Sequence, residues 1–410
     1  MTDQDELCVP LQVPRRRRSV TLRPAMHVLF LPKWYPGRHD PQLGDFLRKQ
    51  AMGVAHVAQV SVLYICGTKG AQALDLDELH QEDGLWELRC YYPASEHSFT
   101  PWRVVINAMR HARRAHRGWR RVRAERGTPD LVHVHILNRP ALLGLWLKWR
   151  YGIPYLVSEQ SSEYMDGTFS RKNGASRWIS RWLIARSAGM TAVSAHLGEQ
   201  LKALGLVQRF DVVPNVIPGT DRPLPPKGTA GHFLVVADLV DRTKNVSGVL
   251  RALAILRDQH PTARLSIIGD GPDRALLEQL CSGLDLTAHV EFLGRLANSK
   301  VLDHMARAGA VIINSNVETF SVVTGEALAQ GKPVIATRCG GPAAFVNAHN
   351  GLLIPVGDDQ ALANAMDQLI RSWADVEPVT IRASVHDRFS PQAVGSAFLK
   401  IYTRVIHDHR

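Results

Sequence analysis

Two glutamates flank a predicted helix start in the last third of this 410-residue chain. The apolar run at residues 310–313 predicts a buried parallel strand, and residues 321–330 predict a helix that ends at Gly331. Glu318 then lies in the turn between strand and helix, and Glu326 lies about two turns down the helix. Ligands of open α/β sheets bind at the carboxyl ends of strands, so the spacing predicts a ligand site here.

The predicted helix start offers chemistry that suits a nucleotide diphosphate. Backbone N–H groups without intrahelical partners and a partial positive charge would receive the phosphates. In this interpretation Glu318 accepts hydrogen bonds from sugar hydroxyls and Glu326 reaches a ribose. The alternative is that both glutamates are solvated charges at a helix end. The candidate residues for the diphosphate are Thr319, Phe320, Ser321 and Val322.

Four further segments surround this window in a specific order. They are LSIIGDGP at 265–272, VEFLGRL at 290–296, KPVIATRCGGP at 332–342 and NGLLIP at 350–355. The ordered set resembles the donor half of the retaining glycosyltransferases of family 4, the group 1 transferases. The resemblance extends over residues 26–405. It implies an α/β chain with the GT-B fold, in which two Rossmann-like domains, each a doubly wound parallel sheet, face a central cleft. It also implies that Gly269 and Leu296 contact the donor.

Lys244 is the candidate residue for stabilising the leaving group. It follows a predicted strand and precedes a predicted helix, where a lysine could neutralise a donor diphosphate. An exposed loop lysine is the alternative, but the resembled family has a phosphate-binding lysine at this position. The family also has an arginine six residues earlier, where this chain has Asp238, and Arg242 is a candidate substitute. Alanines 343 and 344 replace a common acidic residue after Gly-Gly-Pro.

The N-terminal half contributes four candidates. Gly44 matches the family's glycine loop near the donor phosphate, with a plain turn as the alternative. His135 ends one predicted strand, in which it alternates with apolar residues, and Asn138 follows that strand; both are assigned to the sugar or acceptor side. Gln160 follows another strand, where the family often has a histidine. A glutamine can hydrogen-bond but cannot act as an acid or base near pH 7, so Gln160 is assigned to binding only.

Alternating strand and helix signals predict two parallel sheets. Predicted strands are 27–31, 59–65, 131–135, 154–158 and 190–193, then 232–237, 264–268, 289–292, 310–313 and 333–336. Predicted helices include 44–55, 103–124, 140–150, 174–187, 195–204 and 245–257. We expect an N-terminal acceptor-side domain over 26–215, a Pro-rich linker over 214–226, and a C-terminal donor domain over 216–390. In the resembled family the last helix, here 391–408, packs on the first domain.

Composition narrows the class of protein. The apolar fraction of 45% is that of a globular chain, and 410 residues suit two domains. The five cysteines have no close spacing, which argues against a zinc site or a disulfide framework and favours a reducing cytoplasm. No apolar run approaches the roughly 18 residues of a membrane span. Residues 1–25 are interpreted as a disordered leader or the product of a start codon assigned too early.

The positive charge is concentrated in the N-terminal half. Lys and Arg exceed Asp and Glu by 11 in the whole chain, and all of this excess lies before residue 216. Residues 103–126 carry nine arginines beside an apolar stripe at helical spacing, with only Glu125 opposing them. Such a helix could lie on an anionic membrane surface, although a surface helix packed on its own sheet is compatible with the same pattern. Nucleic acid is disfavoured because no aromatic stacking platform accompanies the charge. The patch comprises Arg113, Arg114, Arg117, Arg120 and Arg121.

The resemblance leads us to expect a retaining, metal-independent glycosyltransferase of surface polysaccharide or glycoconjugate assembly. It would need no cofactor beyond a nucleotide-sugar substrate, a UDP- or GDP-sugar, and would act on a glycan or lipid-linked acceptor. We expect it in the cytoplasm, with an anionic inner membrane face as a further partner. Two alternatives stay open. One is a GT-B nucleotide-sugar epimerase, and the other is a catalytically silent sugar-nucleotide or lipid-binding protein, which Asp238, Gln160 and Ala343 favour.

Overall fold

The protein, described here from a computed structural model, consists of two α/β halves built on separate sheets. The structure describes residues 26–70, 73, 75–220 and 222–409, so the predicted leader lies outside the described residues. The first sheet has eight strands and the second has six. Across the described strands all pairs are parallel except β3 with β4, and the predicted doubly wound GT-B architecture is confirmed.

The first sheet has the strand order β3-β4-β2-β1-β5-β6-β7-β8. Its strands are β1 His27–Pro32, β2 Gln59–Thr68, β3 Asp77–Glu82, β4 Leu85–Pro93, β5 Leu131–His135, β6 Tyr155–Glu159, β7 Gly189–Ala192 and β8 Asp211–Val212. The accompanying helices are α1 Asp45–Ala55, α2 Thr100–Arg126, α3 Arg139–Tyr151, α4 Thr168–Arg171, α5 Gly174–Arg186 and α6 Ala195–Ala203.

The second sheet has the order β11-β10-β9-β12-β13-β14. Its strands are β9 His232–Val236, β10 Arg264–Ile268, β11 Val290–Gly294, β12 Ala310–Ile313, β13 Val334–Thr337 and β14 Gly351–Ile354. The helices are α7 Asp241–Lys244, α8 Val246–Arg257, α9 Arg274–Gly283, α10 Asn298–Arg307, α11 Val322–Ala329, α12 Asp359–Arg371, α13 Pro378–Phe389 and α14 Pro391–His409. Short 3₁₀ helices lie at Ser162–Tyr164, Gly341–Ala344 and Trp373–Asp375.

Each predicted strand has a counterpart within two residues at its start, because fully buried parallel strands leave a continuous apolar run in the sequence. The hairpin of β3 and β4 was missed. β3 is a charged edge strand without an apolar face, which weakens the strand signal. The sequence does indicate the turn, because the Asp-Gly pair at 83 and 84 favours a two-residue hairpin loop. In the structure both residues adopt positive φ, as such a loop requires.

Helix α14 returns to the first sheet and packs on α1. Close packing depends on small residues: a Cβ on Gly395 would lie 2.1 Å from the Gly53 carbonyl oxygen. The Tyr402 hydroxyl of α14 also lies 2.7 Å from His133 Nδ1 in β5. Within the described part of the chain, no helix combines the length and apolar character that crossing a bilayer requires.

Candidate functional site

Lys244 and Glu318 meet in the cleft between the two sheets. Lys244 Nζ donates to Glu318 Oε1 at 2.5 Å, although 74 positions separate the two residues. Both side chains line a cavity of about 350 Å³ that also contains Trp34 and Gln160 of the first half. The residue predicted to stabilise the leaving group and the residue predicted to bind the sugar therefore lie together. They lie at the carboxyl ends of β9 and β12, as parallel-sheet topology requires.

Electrostatics keep the Lys244 ammonium charged. Burial by itself would lower the pKa of Lys244, but the adjacent Glu318 carboxylate more than offsets this, and the pKa lies above its ordinary value. Ser315 Oγ donates a second hydrogen bond to Glu318 Oε1 at 2.9 Å. The carboxylate is thus held from two sides, and its position is defined before any ligand arrives.

Two glycines hold the Glu318 turn in place. The Gly341 amide donates to the Glu318 carbonyl at 2.8 Å, and the Glu318 amide donates to the Cys339 carbonyl at 3.3 Å. A Cβ on Gly340 would lie 2.7 Å from the Glu318 carbonyl oxygen, and one on Gly341 would lie 2.4 Å from Phe320 Cα. The Gly-Gly pair therefore lets two loops approach backbone to backbone. This role does not depend on the alanines at 343 and 344.

The start of α11 lies at the cavity and has an N-cap residue in the left-handed region. Ser321 at the N-cap has φ of 70°, and its Oγ accepts a hydrogen bond from Thr324 Oγ1 at 2.8 Å. Thr319, Phe320, Ser321 and Val322 all line the cavity that contains Glu318. Phe320 is 3% exposed, because its ring packs against Phe345 and Phe389. The backbone at Phe320, and not its side chain, is what a ligand can contact. The first-turn amides have no intrahelical acceptor.

Glu326 lies deeper, on α11, and is 4% exposed. Asn298 Nδ2 donates to Glu326 Oε1 at 3.1 Å. Burial raises the pKa of Glu326, while Lys49 and the Asn298 hydrogen bond act in the opposite direction. Asp45 and Lys49 come from α1 in the first half and line the same cavity of about 330 Å³ as Glu326. Sequence reasoning missed Lys49, which only the approach of the two halves brings near Glu326.

Gly269 and Leu296 line this second cavity, and Gly44 lies between Gln42 and Asp45, which also line it. Gly269 follows β10 with φ of 140°, and a Cβ there would lie 1.8 Å from the Ala237 carbonyl oxygen. Gly44 caps α1 with φ of 68°, and its Cβ would lie 2.5 Å from the Trp34 carbonyl oxygen. The Leu296 carbonyl accepts from Gln42 Nε2 at 3.1 Å across the cleft. Both glycines therefore permit close backbone approach at the edge of the site.

Arg295, which sequence reasoning did not single out, is a second arginine near Asp238. Arg295 lines the cavity of Glu326, and its Nη2 lies 4.0 Å from Asp238 Oδ1. Arg242 is exposed, and its charge acts on Asp166, which lines the cavity of Glu318, so the substitution suggested for Arg242 stays a prediction. The sequence could have indicated Arg295, because it directly follows β11 at the carboxyl end of the sheet.

Gln160 lies on the first-half wall of the Glu318 cavity and is 7% exposed. Its Nε2 donates to Gln50 Oε1 at 2.9 Å, while its Oε1 has no partner among the described residues. Burial raises the pKa of the preceding Glu159 to about 7, against hydrogen bonds from the Leu137 amide and the Tyr164 hydroxyl. The carbonyl oxygen of Gln160 is itself buried, so part of the hydrogen-bonding capacity of this amide is unused among the described residues.

His135 does not reach the cleft surface, contrary to expectation. It is 0% exposed, its ring lies 4.5 Å from that of Phe30, and burial lowers its pKa to about 3. His133 is equally buried, but it is satisfied by Tyr402 and Ser158. Asn138 is exposed and lines a separate cavity at the ends of β1 and β2. The burial of His135 contradicts its assignment to the acceptor side, whereas the assignment of Asn138 stays a prediction.

The arginine patch on α2 is less uniform than the sequence indicated. Arg114 is paired with Asp75 and Asp77, and Arg117 with Asp77, so Glu125 is not the only opposing acid. Arg121 pairs with Glu125. Arg113 and Arg120 are exposed and appear in no ion pair of the described chain. Fewer than the five predicted arginines are therefore left to contact an anionic membrane surface.

The apolar stripe of α2 divides into two parts. Ala115, Trp119 and Val122 are buried in the core, whereas Val105 and Met109 are 46% and 48% exposed. The C-terminal half of α2 thus packs on the sheet, as expected of a surface helix. Its N-terminal half presents apolar side chains to the outside.

Two protein-family sequence models match this chain. "Glycosyl transferases group 1" matches residues 220–383, which contain Lys244, Glu318 and Glu326. "Glycosyl transferase 4-like domain" matches residues 46–216. The chain belongs to the group 1 glycosyltransferases.

Relatives of this group 1 glycosyltransferase are named for glycan synthesis. The lipopolysaccharide core biosynthesis glycosyltransferase LpsD of Rhizobium meliloti is 30% identical over 52% of this chain and 63% of LpsD. The glycogen synthase of Mycobacterium tuberculosis is 26% identical over 67% of this chain and 68% of that enzyme. The matched regions thus span about two thirds of each of these two relatives.

Solved structures share the fold of this group 1 glycosyltransferase. Sucrose-phosphate synthase from Thermosynechococcus elongatus aligns with a TM-score of 0.72 at 16% identity, over 93% of this chain and all of that one. HepE of Anabaena, solved in complex with UDP, aligns with a TM-score of 0.68 at 18% identity, over 92% of this chain and all of that one. At these identities the likeness establishes the GT-B fold alone.

Proposed function

We propose that the protein transfers a sugar, with retention of configuration, from a nucleotide-sugar donor to a glycan or lipid-linked acceptor in surface polysaccharide or glycoconjugate synthesis. The observation that carries the proposal is the Lys244–Glu318 pair beside the start of α11. A cation and a row of backbone amides there suit a diphosphate leaving group, and a carboxylate one contact away suits sugar hydroxyls. The names of the relatives LpsD and glycogen synthase support this class of reaction.

The roles of the residues follow from their positions. Lys244 and the first-turn amides of α11 neutralise charge as it develops on the nucleoside diphosphate, which lowers the barrier to bond cleavage. Glu318 orients the sugar, and Glu326 receives the ribose deeper in the cleft. We propose a UDP- or GDP-sugar as donor, with no metal and no further cofactor. We assign the protein to the cytoplasm, at the inner membrane face.

The direct test is donor binding and transfer. Calorimetry with UDP, GDP and their sugars should identify one base, and addition of EDTA should leave transfer unchanged. NMR of the product should show the anomeric configuration of the donor, and an inverted product would contradict retention. Binding of no nucleotide by the folded protein would contradict the function itself.

Two alternatives have specific observations in their favour. Asp238 places a carboxylate where the family has an arginine, which favours a silent sugar-nucleotide or lipid-binding protein. The shared GT-B fold admits a nucleotide-sugar epimerase. Slow donor hydrolysis by purified protein distinguishes an enzyme from the silent protein. Conversion of a donor into its epimer without an acceptor would indicate the epimerase.

A further inference from the structure

An apolar groove separates α2 from α3 on the outer face of the first half. Its volume is about 570 Å³, and its exposed lining is almost entirely apolar. Ala112 and Ala115 form the α2 wall, and Leu142, Leu143 and Trp146 form the α3 wall. Leu142 is 50% exposed at the rim. An open apolar groove of this kind on a soluble domain indicates a binding site for an apolar group.

The groove continues toward the candidate active site. His111, Arg139 and Leu143 line it and also line the cavity of about 360 Å³ at the ends of β1 and β2. Lys33 lies in that second cavity, with its Nζ 4.7 Å from the ring centroid of Trp34. Trp34 in turn lines the cavity that contains Glu318. A molecule in the groove would therefore point one end toward the reacting centre.

The residues that line this path change from apolar in the groove to cationic in the second cavity. Burial lowers the pKa of His111 to about 4, so its ring is uncharged at neutral pH and belongs with the apolar wall. Arg139 and Lys33 follow at the junction and beyond it, and Arg139 Nη1 donates to the Tyr92 hydroxyl at 3.0 Å. Within the described part of the chain, no Asp or Glu lines either cavity. The path thus matches a molecule with an apolar chain and an anionic head.

We propose that the groove between α2 and α3 binds the hydrocarbon chain of a lipid phosphate acceptor, with Arg139 and Lys33 receiving its phosphate. The inference rests on the proposed function and specifies its acceptor as a single-chain lipid-linked phosphate. The exposed apolar residues of the first half of α2 extend the same surface, which suits entry of the lipid from a membrane.

The test is calorimetry with dodecyl phosphate below its critical micelle concentration. The reference ligands are inorganic phosphate, which lacks the chain, and dodecyl maltoside, which lacks the charge. Ala112→Trp fills the groove, and Ala124→Trp on the exposed side of the same helix is the matched control. We expect Ala112→Trp to weaken dodecyl phosphate binding at least tenfold and Ala124→Trp to change it less than twofold. Arg139→Gln should weaken dodecyl phosphate about tenfold and leave dodecyl maltoside unchanged.

Three results would overturn the proposal. They are equal binding of dodecyl phosphate by Ala112→Trp and the unsubstituted protein, equal affinity for dodecyl phosphate and inorganic phosphate, and equal affinity for dodecyl phosphate and dodecyl maltoside. Titration of the same proteins with UDP and GDP keeps the two proposals apart. Nucleotide binding without dodecyl phosphate binding contradicts the groove alone. The reverse contradicts the nucleotide site alone.

Discussion

Replacement of Lys244 by alanine tests the centre of the candidate site. The ammonium is largely buried, with 26% of its side chain exposed, and a charge-assisted hydrogen bond in such a place contributes roughly 1.5 to 3 kcal/mol. Lys244→Ala should therefore weaken nucleoside diphosphate binding by about tenfold to a hundredfold. Glu318 keeps its hydrogen bond from Ser315, so the turn should stay folded.

Replacement of Glu318 by glutamine should have the opposite effect on binding. The Glu318 carboxylate already occupies Lys244 at 2.5 Å, so an incoming diphosphate competes with it for the ammonium. Removal of one negative charge from a partly exposed cleft should favour the diphosphate by roughly 1 to 2 kcal/mol. Glu318→Gln should thus bind UDP or GDP with equal or greater affinity, yet transfer sugar more slowly, because the carboxylate that orients the sugar is gone.

The assay is calorimetric titration of both variants with the preferred nucleoside diphosphate, paired with initial transfer rates. Lys300→Ala is the matched control, because Lys300 is a lysine of the same half with 70% of its side chain exposed. Unchanged affinity in folded Lys244→Ala would remove Lys244 from the site. Weaker nucleotide binding with normal turnover in Glu318→Gln would show that the carboxylate serves the nucleotide and not the sugar.

Three further predictions concern stability and the surface. Folding raises the pKa of the Glu159 carboxyl to about 7 and so stabilises its protonated form. The free energy of unfolding should therefore fall as pH rises from about 4.5 through about 7, by roughly 1.4 kcal/mol for each pH unit by which the pKa of Glu159 is raised. The Tm of Glu159→Gln should fall less between pH 5 and 8 than the Tm of the unsubstituted protein. Gly269→Ala should cost about 1 to 3 kcal/mol in urea unfolding, whereas Gly283→Ala, where a Cβ meets nothing within 4 Å, should be neutral or stabilising. Anionic but not neutral vesicles should co-sediment the protein, less so in high salt and less so after Arg113 and Arg120 are replaced by Gln; equal binding to both vesicle types would exclude a role for charge.

Local sequence predicted the part of the site that one strand and its following turn create. Glu318 was placed correctly in the turn after β12, and Lys244 just before the long helix α8, because buried strands and helix starts leave short patterns in the sequence. Their contact follows from topology, since β9 and β12 are neighbours in the second sheet. Strand order could be inferred only from the family resemblance.

Contacts between distant segments were not predictable in the same way. Lys49 faces Glu326 only because the first half closes over the second, and no periodicity encodes that approach. The pairing of Arg114 with Asp75 and Asp77 depends on an edge hairpin that carries little apolar signal. The prediction that His135 faces the cleft failed for a related reason. Its alternation with apolar residues identifies the face of the sheet on which the side chain lies, but does not show that the Phe30 ring packs against the His135 side chain.

Each cation that lines the cavities of Glu318 and Glu326 lies near a carboxylate. Lys244 contacts Glu318, Lys49 contacts Asp45, and Arg295 lies near Asp238. On the proposed function, a diphosphate that binds Lys244 displaces the Glu318 carboxylate from it, because the more highly charged group wins a shared cation. The exchange leaves Glu318 beside the sugar with its acceptor oxygens free for hydroxyls. On this proposal donor binding prepares both groups at once, whereas the Asp238 carboxylate, whose charge also acts on Lys244, opposes the incoming diphosphate.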